Sequence, residues 1–96
     1  MSTQPYDYEQ LKFICLERVQ TMLQGFKDIF HSLSIVDYTF AGYPFVVMPI
    51  LDSNKLNVVI LNWDPYVDEE TTKLIHELVS ADKQVLLLIQ KLGENT

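Results

Sequence analysis

The fold is decided by two apolar stretches, Leu56-Asn57-Val58-Val59-Ile60-Leu61-Asn62-Trp63 and, later in the chain, Val85-Leu86-Leu87-Leu88-Ile89. In the first stretch only Asn57 and Asn62 are polar, and the second stretch contains no polar side chain. Such runs are typical of strands covered on both faces of a sheet. Between them lies an apolar series at the spacing of one helix face: Thr71, Leu74, Ile75, Leu78 and Val79.

The helix between these strands has two possible starts. Asp64 could cap it with Pro65 at the first helical position, or Asp68 could cap it with Glu69 and Glu70 in the first turn. We favour Asp68, because the apolar series begins just after it. The short connections then predict that strands 56–63 and 84–90 lie parallel, joined by a right-handed β-α-β crossover.

The first half of the chain predicts a long helix followed by two further strands. Apolar residues at steps of three and four place the helix over residues 8–33. An alternating pattern predicts a strand at Ile35–Phe40, and a β-prone run predicts another at Phe45–Leu51, with Pro49 at a bulge or an unpaired edge. Asp52–Lys55 has the composition of a hairpin turn.

The resulting fold class is α/β (α+β), with the element order α-β-β-β-α-β. We expect a four-stranded mixed sheet, because the early hairpins are antiparallel and the last two strands are parallel. Ninety-six residues suit one domain, so we assign residues 1–96 to a single globular unit and expect residues 1–6 and 93–96 to be frayed.

The charge and the cysteine content exclude several classes of function. Thirteen acidic residues against seven basic ones give a net charge of −6, which disfavours nucleic acids and anionic membranes as partners. The single cysteine, Cys15, excludes an intramolecular disulfide and any site with several thiolate ligands. His31 and His76 do not form a metal-binding pair, so we expect no metal and no cofactor. With no signal sequence and no membrane-spanning run, we expect a cytoplasmic protein.

The two apolar strands need cover on both of their faces. In the first strand one face carries Val59, Leu61 and Trp63 and the other carries Val58 and Ile60. In the second strand one face carries Val85, Leu87 and Ile89 and the other carries Leu86 and Leu88. If the crossover helix covers one face, either the long first helix or a second copy of the chain must cover the other. Exposed apolar patches of that size mark interfaces. We therefore expect a homodimer.

Two groups of residues are candidates for a site. Trp63, Asp64 and Tyr66 lie at the carboxyl end of a parallel strand, where α/β sheets bind ligands, and could hold a cationic or planar group. The structural alternative is that Trp63 fills the rim of the core and Asp64 orders a turn. An acidic docking surface for a basic partner could be formed by Asp64, Asp68, Glu69, Glu70 and Glu77; the alternative is a solvated helix face.

The sequence contains no glycine-rich phosphate loop and no nucleophile with an adjacent base. We therefore predict a small acidic protein that is not an enzyme. It would be an adaptor-like, chaperone-like or inhibitor-like interaction module that binds another protein and acts as a homodimer. The alternative is a ligand-binding or catalytic domain with its site at Trp63, Asp64 and Tyr66, aided by Asp37 and Tyr43.

Overall fold

Four strands form one sheet, and two α-helices pack against it. The computed structural model describes residues 8–91, and the ends expected to be frayed, 1–6 and 93–96, lie outside that range. In chain order the elements are β1 (Leu11–Leu16), α1 (Gln20–Ser32), β2 (Tyr38–Ala41), β3 (Leu56–Trp63), α2 (Glu69–Ser80) and β4 (Val85–Lys91). Short 3₁₀ helices lie at Tyr8–Gln10, Pro44–Val46 and Met48–Ile50. The sheet order is β2-β1-β3-β4, and all neighbouring strands are parallel.

The C-terminal half of the fold confirms the sequence analysis. Strand β3 has the predicted bounds, and β4 is shifted by one residue from the predicted range 84–90. The two strands are parallel, with α2 between them. Asp68 is the N-cap of α2, and its carboxylate accepts a hydrogen bond of 3.0 Å from the backbone N–H of Thr71.

The predicted long helix over residues 8–33 is wrong in its first part. Residues 11–16 form β1, and the helix begins only at Gln20. β1 lies between β2 and β3, and Ile14 and Cys15 are fully buried although they point to opposite faces of the sheet. The uninterrupted apolar run at residues 13–16 is therefore the same signal of a buried parallel strand that β3 carries. The helical spacing over these positions is coincidental.

The predicted strands Ile35–Phe40 and Phe45–Leu51 are also corrected, and with them the mixed sheet. β2 starts only at Tyr38. The structure has two 3₁₀ helices, Pro44–Val46 and Met48–Ile50, where a strand was predicted over Phe45–Leu51. Pro44 and Pro49 each lie in the first turn of one of these helices, where the missing N–H and the fixed φ of proline favour a helical start. The predicted hairpins are absent from residues 8–91, because all the paired strands there are parallel.

The sheet carries a different layer on each face. On the first face α2 and the two 3₁₀ helices, which we call the 3₁₀ pair, cover a core that includes Ile14, Ala41, Val47, Leu51, Val59, Leu61, Leu74 and Leu78. On the second face α1 covers an aromatic cluster around Phe30, whose ring centroid lies 5.2 Å from that of Phe13 and 4.9 Å from that of Tyr38.

Asn57 is a fully buried polar residue at the amino end of the sheet. Its side-chain amide donates to the carbonyl oxygens of Asp52, Lys55 and Gln84, and its carbonyl accepts from the backbone N–H of Asp52. One side chain thereby ties the loop before β3 to the loop before β4. Leaving buried backbone groups without partners costs about 1–3 kcal/mol each.

We expect Asn57→Ala to lower the free energy of unfolding by about 2–4 kcal/mol, because several of these backbone groups lose their partner together. Urea denaturation followed by circular dichroism measures the change. The matched control is Asn54→Ala in the exposed turn nearby, which should change stability by less than about 0.5 kcal/mol. Equal effects of the two substitutions would show that Asn57 does not hold the loops.

Candidate interaction surfaces

The carboxyl ends of β1, β2 and β3 meet at one edge of the sheet, where they border a cleft of about 460 Å³. From β1 the chain passes by α1 to β2 on one side, and from β2 it crosses to β3 on the other side. The cleft therefore lies at the point where the strand order reverses, the usual ligand position in open α/β sheets. Its lining residues include Glu17, Arg18, Tyr43, Asn62 and Glu70.

Glu17 organises this edge of the sheet. One carboxylate oxygen accepts from the backbone N–H groups of Arg18 and Val19, both at 3.1 Å, and the other accepts from the Asn62 amide at 3.3 Å. The carboxylate thus fixes the start of α1 relative to β3. Glu17 is not among the predicted site residues, because the helical spacing predicted residue 17 to lie inside a helix. Only the apolar run at residues 13–16 could have revealed that a strand ends there.

Trp63 and Asp68 make bonds within the fold. The indole N–H of Trp63 donates to the Thr72 hydroxyl at 2.8 Å, and that hydroxyl donates to the backbone carbonyl of Asp68 at 2.8 Å. Trp63 also packs against the core on the α2 face. Its ring is therefore held against the first turn of α2.

The other predicted site residues do not gather around Trp63. Asp64 accepts a hydrogen bond from the backbone N–H of Tyr66, whose own side chain is 78% exposed. Glu69 and Glu70 are exposed in the first turn of α2. Two of the predicted site residues, Asp68 and Glu70, line the cleft at the carboxyl ends of the strands.

Asp37 lies at the opposite end of the sheet, just before β2. Its carboxylate forms an ion pair of 2.6 Å with Lys55. Hydrogen bonding to this carboxylate raises the pKa of Lys55 above its ordinary value. Asp37 therefore cannot assist a site at Trp63, whereas Tyr43 does line the cleft.

One half of the second face of the sheet is open. Leu86 and Leu88 on β4 lie beside Val58 and Ile60 on β3, and each leucine is 47% exposed. A depression of about 310 Å³ runs between α1 and β4. Met22 lines it on the helix side, and Ile60 and Leu88 line it on the sheet side. Both faces of β3 are covered, as predicted. α1 does not cover the second face of β4, so of the two predicted covers for that face a second copy of the chain is the one that remains.

The wall of this depression is an apolar flank of α1. Met22 is 45% exposed and Ile29 is 53% exposed, and the two are seven residues apart, which places them on the same side of the helix. Phe26 lies between them and also lines the depression. We call the depression together with its apolar continuation the open trough. Its floor is Ile60 and Leu88, continued along β4 by Leu86, and its wall is Met22 and Phe26, continued along α1 by Ile29.

A second groove lies on the other face of the sheet, between α2 and the 3₁₀ pair. Its volume is about 380 Å³, and it combines an apolar lining with charged residues of α2. We call it the α2 groove, and it is lined by Pro44, Phe45, Met48, Pro49, Glu70, Lys73, Leu74 and Glu77.

Cys15 is buried in the central strand and is not arranged as a nucleophile. Burial, followed by the nearby charge of Glu17, raises the pKa of its thiol from 9.0 to about 12. His31 contacts the Tyr38 hydroxyl at 3.1 Å, and His76 is exposed on α2. Within residues 8–91 no group of three or more His, Cys, Asp or Glu residues could hold a metal ion.

No family model matches the chain, and no curated protein or solved structure is significantly similar to it. In the part of the chain that the structure describes, every helix is too short or too polar to cross a membrane.

We expect Trp63→Phe to lower the free energy of unfolding by about 1–2 kcal/mol, because the Thr72 hydroxyl loses its donor and the packing is reduced. Chemical denaturation measures the effect. Tyr66→Phe is the matched control at an exposed ring and should leave stability within about 0.5 kcal/mol of the wild type. If Trp63→Phe behaved like the control, the indole would be free for a ligand.

We expect Cys15 to resist thiol reagents in the native protein. At pH 8 a thiol with a pKa of about 12 has a thiolate fraction about a thousandfold smaller than one with a pKa of 9.0. The same shift makes the contribution of Cys15 to stability complete below pH 9 and progressively lost as the pH rises from 9 towards 12.

The measurement is labelling with a chromogenic disulfide reagent in the Ser53→Cys variant, whose new thiol lies at an exposed position. One thiol equivalent should react rapidly and the second only upon unfolding. Two rapid equivalents would show that Cys15 is accessible and reactive.

Proposed function

We propose that the protein is a non-enzymatic interaction module that acts as a homodimer through the open trough. The observation that supports this most is the exposure of Leu86 and Leu88 beside an apolar flank of α1. Full burial of a leucine contributes about 1.5–3 kcal/mol. Covering two leucines that are each 47% exposed therefore leaves a substantial driving force for association.

The occupant that best fits the trough is a second copy of α1. The trough needs an apolar helix flank over its floor, and the chain itself carries one in the wall formed by Met22, Phe26 and Ile29. A two-fold axis along the trough brings the two walls into contact and places each α1 over the floor of the other copy. Such an interface uses the same patch twice, as isologous dimers do.

Charge also favours self-association at this surface in an acidic protein. α1 contains one lysine, Lys27, against one aspartate, Asp28, so its net charge is zero with His31 neutral. On β4 the only charged residue is Lys91. α2 carries three glutamates against Lys73, and it lies on the opposite face, where the proposed dimer leaves it exposed to solvent.

The edge of β4 supports an interface on the same side of the molecule. Within residues 8–91 β4 pairs only with β3, so among these residues its outer edge has no strand neighbour. Natural edge strands are usually protected by charges, prolines or bulges. Residues 85–90 carry no charge and no proline.

A ligand site at Trp63, Asp64 and Tyr66 is the weaker alternative. Trp63 and Asp64 use their polar groups within the fold, and Tyr66 stands apart on the surface.

We expect light scattering after size-exclusion chromatography to give the mass of a dimer for the wild type and of a monomer for Leu88→Lys and Ile29→Lys. Each substitution occurs twice in a two-fold dimer, so the dimer dissociation constant should rise at least about thirtyfold. Both positions are about half exposed, so we expect the monomers to remain folded by circular dichroism.

Val79→Lys is the matched control, since Val79 is 73% exposed on α2, away from the trough. This variant should remain dimeric. A monomeric wild type at high micromolar concentration would rule out the proposal. A dimer that is lost in Leu88→Lys but kept in Ile29→Lys would assign the interface to the floor of the trough without the α1 wall.

A further inference from the structure

We propose that the α2 groove binds an extended segment of another protein in which an apolar residue lies between two basic residues that are three positions apart. This site is independent of the open trough, because the two surfaces lie on opposite faces of the sheet. In the proposed dimer both copies of the groove remain accessible.

The floor of the groove is apolar, and one wall is a single face of α2. Glu70, Lys73, Leu74 and Glu77 follow the helical spacing that aligns side chains on one face. Leu74 is buried and forms the floor. The facing wall is Phe45 with its neighbours in the 3₁₀ pair.

Phe45 is an exposed aromatic ring that is already held in position. Its side chain is 75% exposed, yet its ring stacks on that of Tyr43 with the centroids 5.7 Å apart and an interplanar angle of 19°. The Arg18 guanidinium lies 5.1 Å from the centroid of the Tyr43 ring. An aromatic residue held in place before binding loses little conformational entropy when a partner covers it.

The charges on α2 select basic residues at the two ends of the bound segment. Within the described part of the chain, the one ion pair joins Lys55 to Asp37. The side chains of Glu70, Lys73 and Glu77 therefore take part in no ion pair there and can contact a partner. Glu70 and Glu77 are two helical turns apart, about 10 Å along the axis. Lys73 lies between them and disfavours a third cation in the middle.

An extended segment in the polyproline II conformation matches this spacing. It has three residues per turn and rises about 3.1 Å per residue, so positions i and i+3 project to the same side about 9 Å apart. Two basic side chains at these positions can reach Glu70 and Glu77, while an apolar residue between them contacts Phe45 and Leu74.

We propose another protein as the occupant, because none of the 96 residues of the sequence forms such a segment. Its seven basic residues are Lys12, Arg18, Lys27, Lys55, Lys73, Lys83 and Lys91, and no two of them are three positions apart. The acidic second half of the chain, with seven acids against three bases over residues 64–96, would also attract a basic partner before contact.

The test is selection of peptides of about eight residues, an extended length of about 26 Å, from a random phage-displayed library on the immobilised wild-type protein. We expect the enriched peptides to share two Lys or Arg residues three positions apart with an apolar residue between them. Fluorescence anisotropy with labelled synthetic copies should show that affinity falls as salt is raised.

Two variants localise the binding. Phe45→Ala and Glu77→Lys should each weaken the selected peptides at least about tenfold. Asp82→Lys makes the same charge change at an exposed position in the loop between α2 and β4, and it should weaken them less than about twofold. No enrichment, enrichment of peptides without the basic pair, or equal effects of Glu77→Lys and Asp82→Lys would overturn the proposal.

The oligomeric state is measured on the same samples. Phe45→Ala and Glu77→Lys should keep the mass of the wild type, and Leu88→Lys should bind the selected peptides as the wild type does. The groove and the dimer can therefore fail separately.

Discussion

Parallel strands can be joined only by connections that cross a face of the sheet, and this constraint shapes the whole molecule. Four parallel strands have three such connections within residues 8–91. The 3₁₀ pair and α2 lie on one face, so among the described residues α1 is the element that covers the other. One helix covers only part of a four-stranded sheet, so the half of that face over β4 is open.

The position of the open half follows from the strand order β2-β1-β3-β4. α1 connects β1 to β2 and therefore lies over that side of the sheet, where its Phe30 packs with Phe13 and Tyr38. Leu86 and Leu88 lie at the far edge, beyond the reach of this cluster. The two proposed contact surfaces are thus separated by the sheet itself: an almost neutral apolar trough on one face and an acid-rimmed groove on the other.

Local patterns predicted the second half of the fold well. β3 can be identified from its apolar residues on both faces, and α2 from Asp68 followed by an amphipathic pattern. Neither element requires knowledge of distant residues for its identification. The first half failed because its patterns are ambiguous. Residues 11–16 fit a helical spacing and a buried strand equally, and Phe45–Leu51 has strand propensity although two prolines lead it into 3₁₀ turns. Trp63 could be recognised as part of the core rim, whereas Glu17 could not be placed at a strand end.

By itself the sequence determined that β3 and β4 are parallel strands joined by α2, since burial on both faces and a capped amphipathic helix are local signals. It also determined the acidic charge of α2. Only the tertiary structure decided that β1 is the central partner of β3 and that α1 stops short of β4. Pairing between distant strands depends on which of several apolar runs bury one another, and no local spacing records that choice. The role of Asn57 also depends on the tertiary structure, because its amide finds its hydrogen-bond partners only when the fold brings Asp52 and Gln84 to it.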